Sequence, residues 1–219
     1  MTAKELISND IMPLLPSDKI GQAMSMMSVY RVRHLPIVKD GILLGTISEE
    51  EVSSMDIETS IRDAKITSTF IQVHSNDHVF ELLSTMSENN LSIVPVVDSE
   101  DSFLGIVSQE DLIKFFAGTF SFKEQGGIIV IETSRQGYSL SEIARVVELE
   151  NASIIASFIT SHHESDVTLI TIKISQREIQ DIISALERYS YKIRATFTEV
   201  EHTDDLKNRY DHLMRYLDV

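Results

Sequence analysis

The chain has 219 residues, 42% of them hydrophobic, enough for two packed modules rather than one small domain. Its 34 acidic residues against 19 basic ones give a formal charge of −15, which disfavours general binding to nucleic acid or anionic lipid. The absence of cysteine excludes disulfides, thiolate metal sites and a cysteine nucleophile, and suits a reducing cytoplasm. The first residues, Met1-Thr2-Ala3-Lys4-Glu5-Leu6, have neither the basic start nor the apolar run of a signal peptide. No apolar stretch approaches the roughly 20 residues of a membrane-spanning helix.

In chain order, the first half reads as one unit written twice. Asp18 matches Asp77, Met27-Ser28 matches Met86-Ser87, and Pro36-Ile37-Val38 matches Pro95-Val96-Val97, at a constant offset. One residue is gained in the polar turn 98–102. Thereafter Gly45, Ser48 and Glu50 match Gly105, Ser108 and Glu110. Each copy predicts a short extended lead (11–15; 70–73), a helix, a β-hairpin (35–38 with 43–47; 93–97 with 103–107) and a closing helix (49–55; 109–116). Ser17 and Ser75-Asn76 are the expected caps of the first helices. Their apolar faces are Ile20, Ala23, Met24 and Met27 in one copy, and Val79, Leu82, Leu83 and Met86 in the other. Asp40-Gly41 predicts a tight hairpin turn.

The second half reads strand (128–133), helix (140–150), strand (153–160), strand (167–174), helix (178–189), strand (192–200), a ferredoxin-like β-α-β-β-α-β order. Val167 to Ile172 alternates only partly, whereas Ile179, Ile182, Ile183 and Leu186 make a clean stripe. Residues 204–217 predict a last helix with Leu206, Tyr210, Leu213 and Leu217 on one face, packing on its own domain or on a dimer partner.

The order hydrophobic-Pro-hydrophobic-hydrophobic, turn, Gly-h-h-Ser-x-x-acid, present in both copies, resembles the cystathionine-β-synthase (CBS) domain. Gly137, Leu140 and Ile143, in the stretch 134–143, resemble the turn of the ACT domain, although Ser134 stands where that family carries an acid. The expected class is therefore α+β: a tandem CBS pair of two β-α-β-β-α repeats (1–58 and 59–117), a linker (118–125), an ACT-like domain (126–203) and a C-terminal helix (204–219). The order and length of these parts resemble bacterial acetoin-utilisation B-type proteins. The resemblance implies a cytoplasmic, non-catalytic regulatory homodimer acting on a protein target. Its CBS pair would bind an adenine nucleotide (AMP, ATP or S-adenosylmethionine), and its ACT-like part an amino acid. The alternatives are a dimerisation or target-docking module with vestigial sites and, more remotely, an unrecognised enzyme.

Residue by residue, Ser108 and Asp111 end a strand and open a helix, where free N–H groups suit phosphate and a carboxylate can accept from ribose hydroxyls. The same two residues would serve equally as an N-cap and a first-turn acid. In the other copy Ser48 is kept but Glu51 replaces the aspartate within three successive acids, so a weaker second site is expected there. By family analogy Arg33 and His34 point across the junction at a phosphate held by Ser108 and Asp111, and Thr67, Ser68, Thr69 and Phe70 line the base pocket. Gly137, Tyr138 and Ser139 are the candidate ACT ligand residues. His162, His163, Glu164 and Asp166 fall in an expected polar hairpin, and no metal site is assigned. His74 and His78 suit helix capping. No catalytic motif and no resident cofactor are expected.

Overall fold

A computed structural model describes residues 1–64, 70–119, 124–134, 137–161, 166–198 and 214. The chain divides into two compact units, Met1–Phe116 and Ala117–Val219.

In the first unit, α1 (Ile20–Tyr30) is followed by the hairpin β1 (His34–Lys39) and β2 (Ile42–Ser48) and by the short helix α2 (Glu49–Ser53). The second copy has β3 (Val73–His74), α3 (Val79–Glu88), the hairpin β4 (Ile93–Val97) and β5 (Phe103–Ser108), and α4 (Gln109–Thr119). Both hairpins are antiparallel and slip register at equivalent places, between Ile37 and Val38 and between Val96 and Val97. Asp40 and Gly41 both have positive φ, as a type I′ turn requires. Gly105 has φ +157°, and a Cβ there would lie 2.4 Å from Ile7 Cγ2. The glycine thus serves both the bulge and the close approach of the N-terminal segment.

The caps differ from the expected serines. Lys19 and His78 occupy the N-cap positions, and His78 accepts from the Phe80 N–H. The turns before both helices are closed instead by the repeated aspartates. Asp18 Oδ2 accepts from the Leu15 N–H at 2.8 Å, and Asp77 Oδ2 accepts from the His74 N–H at 2.7 Å. A carboxylate one or two residues beyond the serine reaches the preceding turn, which fixes the chain's direction before the helix begins. Both helices end on a left-handed residue, Arg31 (φ 56°) and Asn90 (φ 51°), which are equivalent positions in the two copies.

The segment ahead of each lead packs on the other copy. Ala3 and Leu6 are buried among Val73, Val79, Leu82 and Val107, and the Ser8 N–H donates to the Ile106 carbonyl at 2.9 Å. Reciprocally, Ile61 is buried among Ile20, Leu35 and Ile47, and its N–H donates to the Asp18 carbonyl at 2.8 Å. A single copy of this length buries too little apolar surface to be secure, and the exchange joins the two into one core. Equivalent residues also meet across the junction. The Arg33 N–H donates to Ser92 Oγ at 2.8 Å, and Ile42 forms an antiparallel bridge with Ser102. Of the expected apolar faces, Met24 and Leu83 remain exposed at matching places.

The second unit has β6 (Ile128–Ser134), α5 (Leu140–Leu149), β7 (Ile154–Ser161), β8 (Val167–Ile174), α6 (Gln180–Arg188) and β9 (Lys192–Phe197). Its sheet order is β7-β8-β6-β9, with every pairing antiparallel. The molecule is thus α+β, two β-α-β-β-α repeats followed by a β-α-β-β-α-β unit. Along β8 every second residue is buried: Thr168, Ile170, Ile172 and Ile174. The burial alternation is therefore complete; it is blurred in the sequence because one inward position is a threonine and two outward ones, Val167 and Leu169, are apolar. Ile129, Ile131, Ile143, Val147, Ile182 and Leu186 fill the core. The expected linker begins inside a helix, since α4 runs to Thr119. The expected C-terminal helix lies outside the described residues, apart from Met214.

Candidate functional site

The strand-to-helix junctions of the first unit open onto two clefts, of about 840 and 570 Å³, sizes that suit small ligands. The smaller one contains Ser108, Gln109, Glu110 and Asp111 at the start of α4, with Ser8, Asp10, Arg31, Ser92 and Lys114 around them. The larger contains Ser48, Glu49, Glu50 and Glu51 at α2, with Arg33, His34, Thr46, Asn89 and Asn90.

The two serine–acid pairs are built alike. Ser108 donates to Asp111 Oδ2 through both its N–H (3.0 Å) and its hydroxyl (2.6 Å), and the Asp111 N–H donates back to Ser108 Oγ at 3.1 Å. Ser48 and Glu51 form the same reciprocal box at 2.9, 2.9 and 3.3 Å. The capping role is thus real in both copies, and the longer glutamate closes its box as well as the aspartate does. At Asp111 these bonds engage Oδ2. Only α4, with eleven residues, presents a developed helix N-terminus, because α2 has five.

Arg33 and His34 do not face Ser108 and Asp111. The β1–β2 register places His34 directly opposite Ser48, so both side chains line the cleft of their own copy. The cations beside Ser108 are Arg31 and Lys114, and Lys114 pairs with Glu110 at 2.7 Å. Ser8 and Asp10 of the first copy border the Ser108 cleft. Thr67, Ser68 and Thr69 lie outside the described residues. Phe70 is 69% exposed and lines neither cleft, whereas its neighbour Ile71 lines the Ser48 cleft. The equivalence of Arg31 with Asn90, legible in the repeat, is the signal that could have located these cross-junction residues.

His34 Nδ1 accepts from the Ser92 N–H at 3.2 Å and lies 3.1 Å from Ser92 Oγ. Burial, and secondarily the Arg33 charge, hold its pKa below the usual imidazole value, against the opposing pull of Glu51 and Glu49. Nδ1 is therefore the unprotonated acceptor at neutral pH. Thr46, which sequence reading passed over, is 6% exposed, and its Oγ1 has no hydrogen-bond partner among the described residues. The repeat places Ile106 at the matching position of the other copy.

In the second unit the three candidate residues are engaged by their own fold. A Cβ on Gly137 would lie 2.4 Å from Ser134 Oγ, so a side chain already fills the approach over the glycine. Tyr138 packs on the core, and Ser139 Oγ caps α5 by accepting from the Glu142 N–H at 3.3 Å. His162, His163 and Glu164 lie outside the described residues. Among the described residues no cluster of three or more metal-ligating side chains occurs, and no helix is long and apolar enough to cross a membrane.

A duplicated α+β unit with paired clefts at its junction, each opening on a serine–acid turn, defines the class of tandem-repeat modules to which the chain is compared. The CBS domain pattern matches residues 3–58 and 60–118, and the chain belongs to that family. An inosine-5'-monophosphate dehydrogenase of Methanocaldococcus jannaschii is 22% identical over 74% of this chain and 33% of its own length, so the chain spans about a third of that relative. A CBS domain pair/ACT domain protein of Thermotoga maritima is similar over 53% of this chain and 96% of its own, at 21% identity and a TM-score of 0.48. A CBS domain pair in complex with 5-methylthioadenosine and S-adenosyl-L-methionine is 28% identical over 54% of this chain and 97% of its own, with a TM-score of 0.44.

Proposed function

We propose that the chain is a ligand-sensing regulator whose Ser108–Asp111 cleft binds a phosphate-bearing adenine nucleotide, AMP or ATP. The observation that carries this reading is the grouping in one 570 Å³ cleft of the α4 N-terminus, Asp111, Arg31 and Lys114. The helix N–H groups and two cations suit phosphate, while the Asp111 oxygen not engaged by Ser108 suits a ribose hydroxyl. The nucleotide complexes and regulatory descriptions of family members support the same reading. A nucleotide that prefers the folded protein must raise its apparent stability by mass action. Titration calorimetry and thermal unfolding with AMP and ATP therefore test it. Binding that Arg31→Ala and Asp111→Ala both weaken is expected, and the absence of any shift at millimolar nucleotide refutes it.

The finer parts of the proposal are a cytoplasmic protein of the acetoin-utilisation B type, acting on a protein target. A homodimer through the helical faces is supported by the exposed Met24, Val29, Phe80 and Leu83. A second reading, a dimerisation module with vestigial ligand sites, is favoured by the internally satisfied Ser–acid boxes. An amino-acid ligand in the second unit draws no support from Gly137, Tyr138 and Ser139, which are used by the turn, the core and the cap.

A further inference from the structure

The sheet of the second unit has two unlike faces. On one side Ile129, Ile131 and Ile170 are buried with Val147 of α5 and Leu186 of α6. Both described helices of the unit therefore lie on that side. Strands turn alternate side chains to opposite faces. The other side thus carries Ile128 and Val130 of β6, Leu169 and Thr171 of β8, and Ala195 and Phe197 of β9. The register gathers them: Val130 stands between Thr171 and Ala195, and Ile128 lies opposite Phe197. None of the six belongs to the buried core. Ile128, Val130 and Leu169 are half-buried, and Phe197 is 57% exposed. Glu132 on the same face is matched by Lys192 at 2.6 Å and Arg194 at 2.7 Å, so its charge is balanced within the sheet. A face of this composition is one that a protein covers with another apolar layer.

The chain beyond β9 can supply that layer. β9 is an edge strand, and it ends at Phe197 on the outward face. Leu206, Tyr210, Leu213 and Leu217 recur at the spacing of one helix face. Met214 is helical and 40% exposed, and on such a helix it falls at the rim of that stripe. At 1.5 Å per residue the stripe spans about 16 Å. Four strands spaced ~4.8 Å apart span roughly 14 Å, so the two lengths match. Residues 198–203 reach at most about 20 Å, enough to turn back from the edge strand over the sheet. A segment tethered this closely meets the face at an effective concentration on the order of millimolar, an advantage that no separate chain has.

We propose that residues 204–217 form a helix that lies across the outward face of the second unit's sheet and covers it. Leu206, Tyr210, Leu213 and Leu217 pack on Ile128, Val130 and Leu169, and Asn208, Asp211 and Arg215 face water. The face is then occupied within the chain and is closed to a second copy. Ligand binding in the first unit plays no part in this assignment.

The chain has no cysteine, so engineered thiols can be cross-linked without background. Thr171→Cys, at the centre of the outward face, is combined in the full chain with Leu206→Cys or Leu213→Cys. Asn208→Cys and Arg215→Cys, on the other side of the proposed helix, are the controls. A short bismaleimide is added at micromolar protein, and the products are read on denaturing gels and by peptide mass spectrometry. The expected result is a cross-link within one chain, at least about tenfold more abundant with Leu206→Cys or Leu213→Cys than with the controls, and independent of protein concentration. Equal yields from the two sides would overturn the proposal. So would a product joining two chains that grows with protein concentration, which would give the face to another copy. The cysteine-free variant Leu206→Asp/Leu213→Asp is expected to raise the fluorescence of a dye for exposed apolar surface severalfold, and unchanged dye binding would equally overturn it.

Discussion

Replacing Thr46 by valine should stabilise the ligand-free protein, because the hydroxyl is removed from a place where it is buried and unpaired. Thr46 is 6% exposed, and Oγ1 has no partner. An unsatisfied buried polar group costs about 1–3 kcal/mol, and a valine methyl occupies nearly the same space with equal preference for a strand. The expected gain is therefore about 1–2 kcal/mol, after allowing for the cleft side of the residue. The assay is urea unfolding of the wild type and the variant without ligand, with the midpoint displaced upward and the slope unchanged. Thr168→Val is an internal comparison, since Thr168 Oγ1 is equally unpaired and its residue is 2% exposed, but it faces a packed core. A loss of 1 kcal/mol or more in Thr46→Val would show that the hydroxyl is already satisfied and would refute this reasoning.

Gly105→Ala should destabilise the first unit by about 1–3 kcal/mol, through its positive φ and the 2.4 Å approach of Ile7 Cγ2, read by chemical denaturation. Ser92→Ala should cost about 1–3 kcal/mol, because the Arg33 N–H loses its acceptor at the junction, where Ser92 is buried. The lowered pKa of His34 means that the folded state binds fewer protons than the unfolded state. Stability should therefore be complete above the unfolded value of about 6.5 and be lost as pH falls through the lower folded value. His34→Asn, which keeps an acceptor, should flatten that part of the pH–stability curve, and an unchanged curve would clear His34 of the role.

The fold was legible because it rests on periodicity and repetition. β4 and β8 begin and end where alternation and β-branched content predict, and Asp40-Gly41 forms the turn that its residue types require. The helix starts were less legible, since Asp18 and Asp77 compete with the adjacent serines for the same local bonds, and the choice depends on backbone direction. The clefts were legible only in part. Ser108 with Asp111, and Ser48 with Glu51, are local pairs three residues apart, and a sequence displays them. Ser8 and Asp10 reach the Ser108 cleft because the N-terminal segment packs on the other copy, and Arg31 reaches it from the end of α1, long-range placements that local spacing does not encode. Arg33 and His34 line the Ser48 cleft rather than the Ser108 cleft, because the β1–β2 register sets His34 against Ser48. Thr46 was invisible because an unpartnered hydroxyl is a property of packing, not of residue type.

Calorimetric titration of AMP into the wild type, Asp111→Ala and Glu51→Ala tests the central claim most directly. Both substitutions break a Ser–acid box of the same geometry, so both should cost about 1 kcal/mol of folding stability, which serves as the common baseline. Only Asp111→Ala removes a ribose acceptor from the cleft that holds Arg31, Lys114 and the α4 terminus, and AMP affinity should fall by about 1.5–3 kcal/mol there, with little change in Glu51→Ala. Equal losses in the two variants, or undiminished AMP binding in Asp111→Ala, would contradict the assignment of the nucleotide to the Ser108–Asp111 cleft.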